Sequence, residues 1–380
     1  VGHRTVGLSR VGEISVRGRI VETPVFMPVG SVAAVKALTY PQIKEMGAQI
    51  TLANAYHLYL RPGVEIVKSL GGLHGFTSWP GAILTDSGGY QVFSMQKVRK
   101  LTEDGVQFRS FIDGSPHFFT PEKIIDIQVG LSPDIAMILD DCTPYPADRG
   151  RAQKGVDLTL SWARRAVNHF HSLNLGENCP ALFGIVQGST YLDMRKTCTQ
   201  RLIELDFAGY AIGGLSVGEP KEEMWEILDT VVPLLPEGKP KYLMGVGTPE
   251  DIILAVEKGI DMFDCVLPTR NGRNGTAFTS QGEVIVKAAR YKTSGEPLDP
   301  HCDCFVCRQY SRAYLRHLFN VGHMTGCMLV TYHNVWFYLH LMESLRRAIK
   351  EDTFSEYKTS FLAAYRSGAE RARSEKKEEQ

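Results

Sequence analysis

Short apolar runs alternate with amphipathic stretches along most of the 380-residue chain. The runs fall at 24–29, 50–53, 82–85, 135–139, 181–186, 210–212, 241–245 and 262–266. Between them, 41–46, 61–70, 121–131, 151–171, 191–205, 221–234 and 249–258 carry apolar residues at helical spacing, and 334–350 supplies an eighth such stretch. Several open with a proline near the start, which suits the first helical turn. Eight repeats of strand then helix predict an α/β fold, a parallel (β/α)8 TIM barrel. Two intervals are too long to be plain loops. Residues 91–120 are expected to form a small β insertion, and 269–333, after the eighth strand, a second insertion. The barrel is expected to occupy 1–365 as a single domain, with 366–380 a charged tail that frays.

Composition narrows the class. A hydrophobic content of 43% supports a large core, and a formal net charge of +0 gives no global field directed at nucleic acid. The charge is uneven, however. Residues 270–350 hold eleven Lys and Arg against five Asp and Glu, a candidate phosphate-facing surface. Arg308, Arg312 and Arg316 recur there at i, i+4 spacing and are candidates for a phosphate path. The apolar stretch 327–342 is interrupted by His333, Asn334 and His340, too polar and short to span a membrane. No signal peptide opens the sequence, so a reducing cytoplasm is expected, with the 8 cysteines free or metal-bound.

Three of those cysteines form a C-x-C-x-x-C cluster, Cys302, Cys304 and Cys307, followed by His333. That donor set matches a closed tetrahedral Cys₃His zinc site. Four protein ligands leave no open position, so the Zn2+ is expected to be structural and the chemistry must lie elsewhere.

Barrel enzymes place their chemistry at the C-terminal ends of the strands. The residues just past the runs are Asn54, Asp86, Asp140 with Asp141, Gln187 with Gly188, Gly213 with Gly214, Gly245 to Gly247, and Asp264. Asp86 stands in Thr-Asp-Ser-Gly-Gly-Tyr-Gln, where Gly88 and Gly89 let backbone approach a flat ligand and Tyr90 can stack on it. Asp140 can accept two N–H bonds from one edge such as guanine presents. Gln187 and the amides near Gly214 can address a carbonyl. Asp264, in Met-Phe-Asp-Cys-Val, is an aspartate in an apolar setting and needs a buried partner or a catalytic role. Spacing alone leaves Asp86 and Asp140 equal as the proton carrier.

Seven segments carry a resemblance to a known family: TDSGGYQVFS at 85–94, DDCTPYPA at 140–147, FGIVQGS at 183–189, GYAIGGLSVGEP at 209–220, YLMGVGTPEDI at 242–252, DMFDCVLPTRNGRNG at 261–275, and the cysteine cluster. Over nearly its whole length the chain resembles the tRNA-guanine transglycosylases (queuine tRNA-ribosyltransferases), and most closely the bacterial type. The resemblance implies a TIM barrel that exchanges guanine at the tRNA wobble position for a 7-deazaguanine base. Asp264 matches the nucleophile that attacks C1′ of the ribose, and Asp86 the general acid/base. The resemblance places Asp140, Gln187 and Gly214 on the purine edge, with Tyr90 and Met244 sandwiching the ring. Ser87, Gly88, Gly89, Cys142, Gly213, Leu215 and Val217 complete the expected base pocket.

Anticodon reading is implied for Gly245, Val246, Gly247, Thr248, Pro249, Glu250 and Asp251, and for Thr269, Arg270, Asn271, Gly272 and Arg273. The implied partners are tRNA with a GUN anticodon (Asp, Asn, His, Tyr), the bases guanine and 7-aminomethyl-7-deazaguanine (preQ1), and a second copy in a homodimer. Val217 is expected to obstruct the larger queuine substituent, and Ser216 leans towards the eukaryotic pattern. Use of queuine and a non-catalytic tRNA-binding subunit are the alternatives.

Overall fold

All eight apolar runs become strands of one closed parallel barrel. The computed structural model describes residues 4–89 and 99–378. In chain order the barrel strands are β4 (Val25–Gly30), β5 (Ile50–Asn54), β6 (Ala82–Asp86), β10 (Ile135–Met137), β11 (Ala181–Val186), β12 (Gly209–Ile212), β13 (Lys241–Leu243) and β14 (Met262–Cys265). Each pairs with the next, and β14 closes on β4, so the sheet has no edge. Phe26, Phe183, Tyr210, Tyr242 and Phe263 lie fully buried in its core.

Three strands precede the barrel that the hydropathy pattern did not reveal: β1 (Arg4–Val6), β2 (Ser9–Val16) and β3 (Arg19–Thr23), an antiparallel sheet. Ion pairs fix it against the N-terminal ends of the barrel strands, opposite the expected chemistry. Arg10 donates from Nε to Asp261 Oδ1 at 2.9 Å and from Nη2 to Oδ2 at 2.6 Å, just before β14. Just before β10, Asp134 accepts from Arg19 at 3.0 Å, from the Ile83 N–H at 2.8 Å, and bonds His74 Nε2 at 2.9 Å. Asp134 is completely buried, so deleting its carboxylate strands three polar groups. Asp134→Ala is expected to destabilise the protein by about 3–5 kcal/mol, read as a lower urea midpoint at unchanged slope.

Between β6 and β10, strands β7 (Arg99–Leu101), β8 (Val106–Arg109) and β9 (Pro116–Phe119) form a three-stranded antiparallel sheet. After β14 come the helix Leu267–Asn274, the hairpin β15 (Thr276–Thr279) with β16 (Gly282–Ile285), and the helices Phe305–Gln309 and Arg312–Asn320. Arg308 and Arg312 therefore sit on separate helices, divided at Tyr310 and Ser311, and do not continue one helical face. Arg312 donates to the Leu298 carbonyl and Arg316 to those of Lys287 and Ala288, so both brace this segment internally.

Most helices fall where periodicity put them, as at Pro121–Leu131 and Arg149–Ser172. The expected helix at 61–70 instead becomes Ala55–Leu60, Val64–Ser69 and Gly72–Thr77. Pro62 has no N–H to give a continuous helix, and Gly63 and Gly71 adopt φ of 102° and 85°. The last barrel helix starts at Met324, not 334, and runs to Lys350. His333 and Asn334 do not interrupt it, because both are buried with hydrogen-bond partners. The helix Phe354–Glu378 extends through the region expected to fray. Its Ala, Glu, Lys and Arg content favours helix even where charge is high. Among the described residues no helix is long and apolar enough to cross a membrane.

Candidate active site

A cleft of about 260 Å³ opens at the C-terminal ends of the barrel strands. Its lining brings together Asp86, Ser87, Gly89, Asp140, Cys142, Gln187, Gly213, Gly214, Leu215, Val217, Met244 and Asp264 from six stretches of sequence. Gly88 is absent from the lining. At φ 71° it packs on Tyr56, where an added Cβ would meet the Tyr56 Cβ at 2.3 Å. Its N–H donates to Asp86 Oδ1 at 3.1 Å. Tyr90 lies outside the described residues.

Asp264 ends β14 in the cleft. Its Oδ1 accepts from the Tyr242 hydroxyl at 2.6 Å and from the Gly245 N–H at 2.8 Å. Both bonds fall on one oxygen, and Oδ2 has no donor among the described residues. Desolvation pushes this carboxyl above its ordinary range, and the two donors pull it back. The result is a carboxylate oriented through one oxygen and free at the other, the arrangement a nucleophile needs.

Asp86 ends β6 beside Asn54 of β5, its register partner. Asn54 donates to Oδ2 at 2.7 Å, and the Ala55 N–H reaches Oδ1 at 3.3 Å. Desolvation outweighs these bonds, the charge on Asp264 adds to it, and the carboxyl is pushed up to about 7. A group at that value exchanges protons efficiently at neutral pH.

Asp140 is buried and likewise pushed up to about 7, chiefly by desolvation, with Asp141 adding to it and Gln187 opposing. Gln187 Nε2 donates to Asp140 Oδ2 at 2.6 Å, while Gln187 Oε1 is buried with no partner. An unsatisfied buried acceptor beside a carboxylate is a place for a ligand donor. Asp141 is no part of this edge, because Arg151 holds it by two bonds of 2.6 and 2.8 Å.

Several residues that shape the cleft escaped the sequence reading. Tyr242 is internal to β13, so a search of strand ends passes over it. Arg195 is fully buried and donates to the backbone carbonyls of Val186, Ser189, Gly213 and Gly214 at 2.8–3.3 Å. A trans peptide points its N–H opposite its C=O, so holding these carbonyls inward turns the following N–H groups of Gly214 and Leu215 away from Arg195. The signal was available: Arg195 shares one helical face with the apolar Met194, Cys198 and Leu202. Glu219 accepts from the Ser216 and Val217 N–H groups and fixes the turn that carries Val217.

The twelve residues expected to read RNA separate by burial. All follow β13 or β14, on the side where the cleft opens. Gly245 and Arg270 are exposed, and Asn271 and Arg273 half-buried. Thr248 instead caps the helix Pro249–Glu257, Asp251 pairs with Lys221 at 2.7 Å, and Glu250 pairs with Arg366. Val246, Gly247, Pro249 and Thr269 are buried. Gly272 is buried against Thr331, whose Cα an added Cβ would meet at 2.7 Å, so its glycine serves helix packing.

Cys302, Cys304, Cys307 and His333 converge outside the barrel. Their donor atoms lie within 4.8 Å of one another, and His333 Nδ1 is 3.7, 3.5 and 3.3 Å from the three sulfurs. Tetrahedral zinc with its usual bond lengths separates such donors by about 3.5 Å, so the cluster fits that ion. His333 Nε2 bonds the Phe278 carbonyl at 2.8 Å, which places the ring proton on Nε2 and leaves Nδ1 free for a metal.

A closed parallel barrel with three carboxylates, Asp86, Asp140 and Asp264, raised by desolvation in one strand-end cleft has the architecture of a TIM-barrel enzyme. A sequence model of the family described as queuine tRNA-ribosyltransferase matches residues 6–367. The chain is 56% identical over 357 residues to the queuine tRNA-ribosyltransferase of Caldanaerobacter subterraneus subsp. tengcongensis, covering 94% of each chain. It is 55% identical to that of Thermoanaerobacter pseudethanolicus, again over 94% of each. With that of Thermodesulfovibrio yellowstonii it shares 51% identity, over 94% of this chain and 92% of the relative. The chain belongs to the queuine tRNA-ribosyltransferase family, a family of pentosyltransferases.

Proposed function

We propose that the protein exchanges guanine at the wobble position of tRNAs with a GUN anticodon (Asp, Asn, His, Tyr) for preQ1, by double displacement through Asp264. The observation that carries this reading is the pair of carboxylates in one cleft. Asp264 is held through one oxygen, and Asp86 is pushed up to about 7.

In the first displacement Asp264 Oδ2 attacks C1′ of the ribose. The C1′–N9 bond breaks, its electron pair goes to guanine, and protonated Asp86 supplies the proton. In the second, Asp86 takes the N9 proton of the incoming base, N9 attacks C1′, and the C1′–O bond returns its pair to Asp264. This is the logic of a retaining glycosidase, with a base as acceptor in place of water. Asp140 and Gln187 hold the purine edge, and Met244 packs on its ring. The target base must leave the anticodon stack to enter the cleft.

Cys302, Cys304, Cys307 and His333 would hold one structural Zn2+ per subunit, whose role is to organise the chain after β14. The β7–β9 sheet and the metal-bearing segment are insertions within one catalytic domain, and the protein acts as a homodimer. Val217 lines the cleft on a turn fixed by Glu219, which favours preQ1 over queuine.

Purified tRNA with a GUN anticodon, offered labelled guanine, preQ1 and queuine in parallel, is expected to take up guanine and preQ1 and to exclude queuine. Efficient queuine incorporation would replace the substrate assignment. Incorporation of no base by folded, zinc-loaded protein would favour a non-catalytic tRNA-binding subunit.

A further inference from the structure

Asp264 accepts from the Gly245 N–H, yet Gly245 has no side chain of its own to keep that group in place. Gly245 is exposed, adopts φ 73°, and has no atom within 4 Å of the position a Cβ would take. The turn after β13 is held at the residues on either side, by the Met244 N–H on the Ile212 carbonyl at 3.3 Å and by buried Val246, and two residues further on at Gly247. There the backbone lies so close to Cys265 that an added Cβ would meet the Cys265 Cβ at 2.1 Å. The Gly247 carbonyl accepts the hydroxyl of Tyr338, which reaches in from the helix Met324–Lys350. Tyr338 is completely buried, its ring 4.8 Å from Phe26 of β4 and 5.3 Å from Phe278 of β15. It has no freedom to point elsewhere.

We propose that Tyr338 is a positioning residue for the nucleophile: its hydroxyl clamps the turn 245–247 so that the Gly245 N–H stays on Asp264 Oδ1. Tyr338 lines no part of the cleft and touches no reacting atom. The inference rests on Asp264 being the nucleophile, as read above. Burial and nearby acidic groups hold the Tyr338 phenol well above its ordinary range, so it remains a donor across the working pH range. The ionisable groups around Asp264 are Asp86 from β6, Tyr242 from β13, the adjacent Cys265, and Arg270, whose charge reaches Cys265. Of these only Tyr242 donates a hydrogen bond to the carboxylate. Loosening the Gly245 N–H leaves one donor to oppose desolvation, so Asp264 ionises at higher pH.

The test is Tyr338→Phe, which removes one oxygen and keeps the ring packing. Single-turnover guanine release from tRNA is measured against pH, because that step needs Asp264 ionised and Asp86 protonated. The acid limb is expected to move up by about 0.5–1 pH unit, from partial loss of one hydrogen bond to a charged group. The rate below the limb should fall about three- to tenfold, with KM for tRNA unchanged. Amide exchange at Gly245 should quicken in parallel. An acid limb and Gly245 protection both left in place would overturn the proposal, as would a loss of rate equal at every pH. Asp264→Asn run alongside separates the two claims. Retained exchange in that variant sinks the nucleophile assignment itself, whereas a dead Asp264→Asn with an unmoved limb in Tyr338→Phe sinks only the role of Tyr338.

Discussion

Asp264→Asn is expected to reduce base exchange by about 10⁴-fold or more while tRNA binding persists. The substitution is nearly isosteric. Asparagine Oδ1 can still accept from the Tyr242 hydroxyl and the Gly245 N–H, so the local structure has no reason to move. What disappears is the second oxygen and its lone pairs, and an amide nitrogen does not attack C1′. Binding should persist because Asp140 and Gln187, the groups proposed to hold the purine edge, are untouched.

Stability should change in a direction opposite to activity. Desolvation raises the Asp264 pKa in the folded state, so ionising it opposes folding. That cost is absent below the unfolded value near 4 and grows as pH rises through the folded value. Asp264→Asn is therefore expected to melt at the same temperature as the parent at pH 4 and at a higher one at pH 8. Asp86, pushed up to about 7, follows the same sign, its cost developing between about pH 4 and 7. A variant that lost activity and also melted lower at pH 8 would point to a structural role for Asp264, not a chemical one.

The sequence exposed the barrel because each β/α unit repeats one physical pattern. Eight short apolar runs and their amphipathic partners sufficed, and the strand ends then located Asp86, Asp140, Gln187 and Asp264. The N-terminal sheet escaped because its buried apolar residues, Val11, Ile14, Val16 and Val21, are scattered among polar ones, and its ion pairs, such as Arg10 with Asp261, join residues 251 apart. The start of the last barrel helix was misplaced because polar His333 and Asn334 look like a break until their buried partners are known. Tyr242, Arg195 and Tyr338 act on the cleft through contacts that only folding creates. The stretches expected to read RNA show the converse. Residues such as Gly272 and Asp251 carry the family motif, yet their immediate contacts here are with the fold.

Removing the metal is expected to abolish activity only at the rate at which the segment after β14 loosens. The binding free energy of a structural zinc site is about 10–16 kcal/mol in small peptides, comparable to the whole stability of a typical domain at about 5–15 kcal/mol. Residues 276–323 contain one short hairpin and short helices, and the Cys₃His cluster joins buried apolar residues such as Ala277, Val306, Leu315 and Leu318 in tying them to the helix Met324–Lys350. The barrel core is built from other residues, such as Phe26, Phe183 and Phe263, and should remain. The coupling to the cleft runs through this helix. Its Asn334 bonds the Pro268 and Thr276 carbonyls and the Phe278 N–H, and Pro268 lies four residues beyond Asp264. When the cluster opens, His333 and Asn334 lose their fixed positions, and the helix Leu267–Asn274 packed on them loosens next. In a chelator time course, metal release, amide exchange over 276–333 and loss of base exchange should share one rate constant. Instantaneous loss of activity ahead of any change in amide exchange would instead mean that the metal takes part in the chemistry, against the closed four-ligand geometry of the cluster.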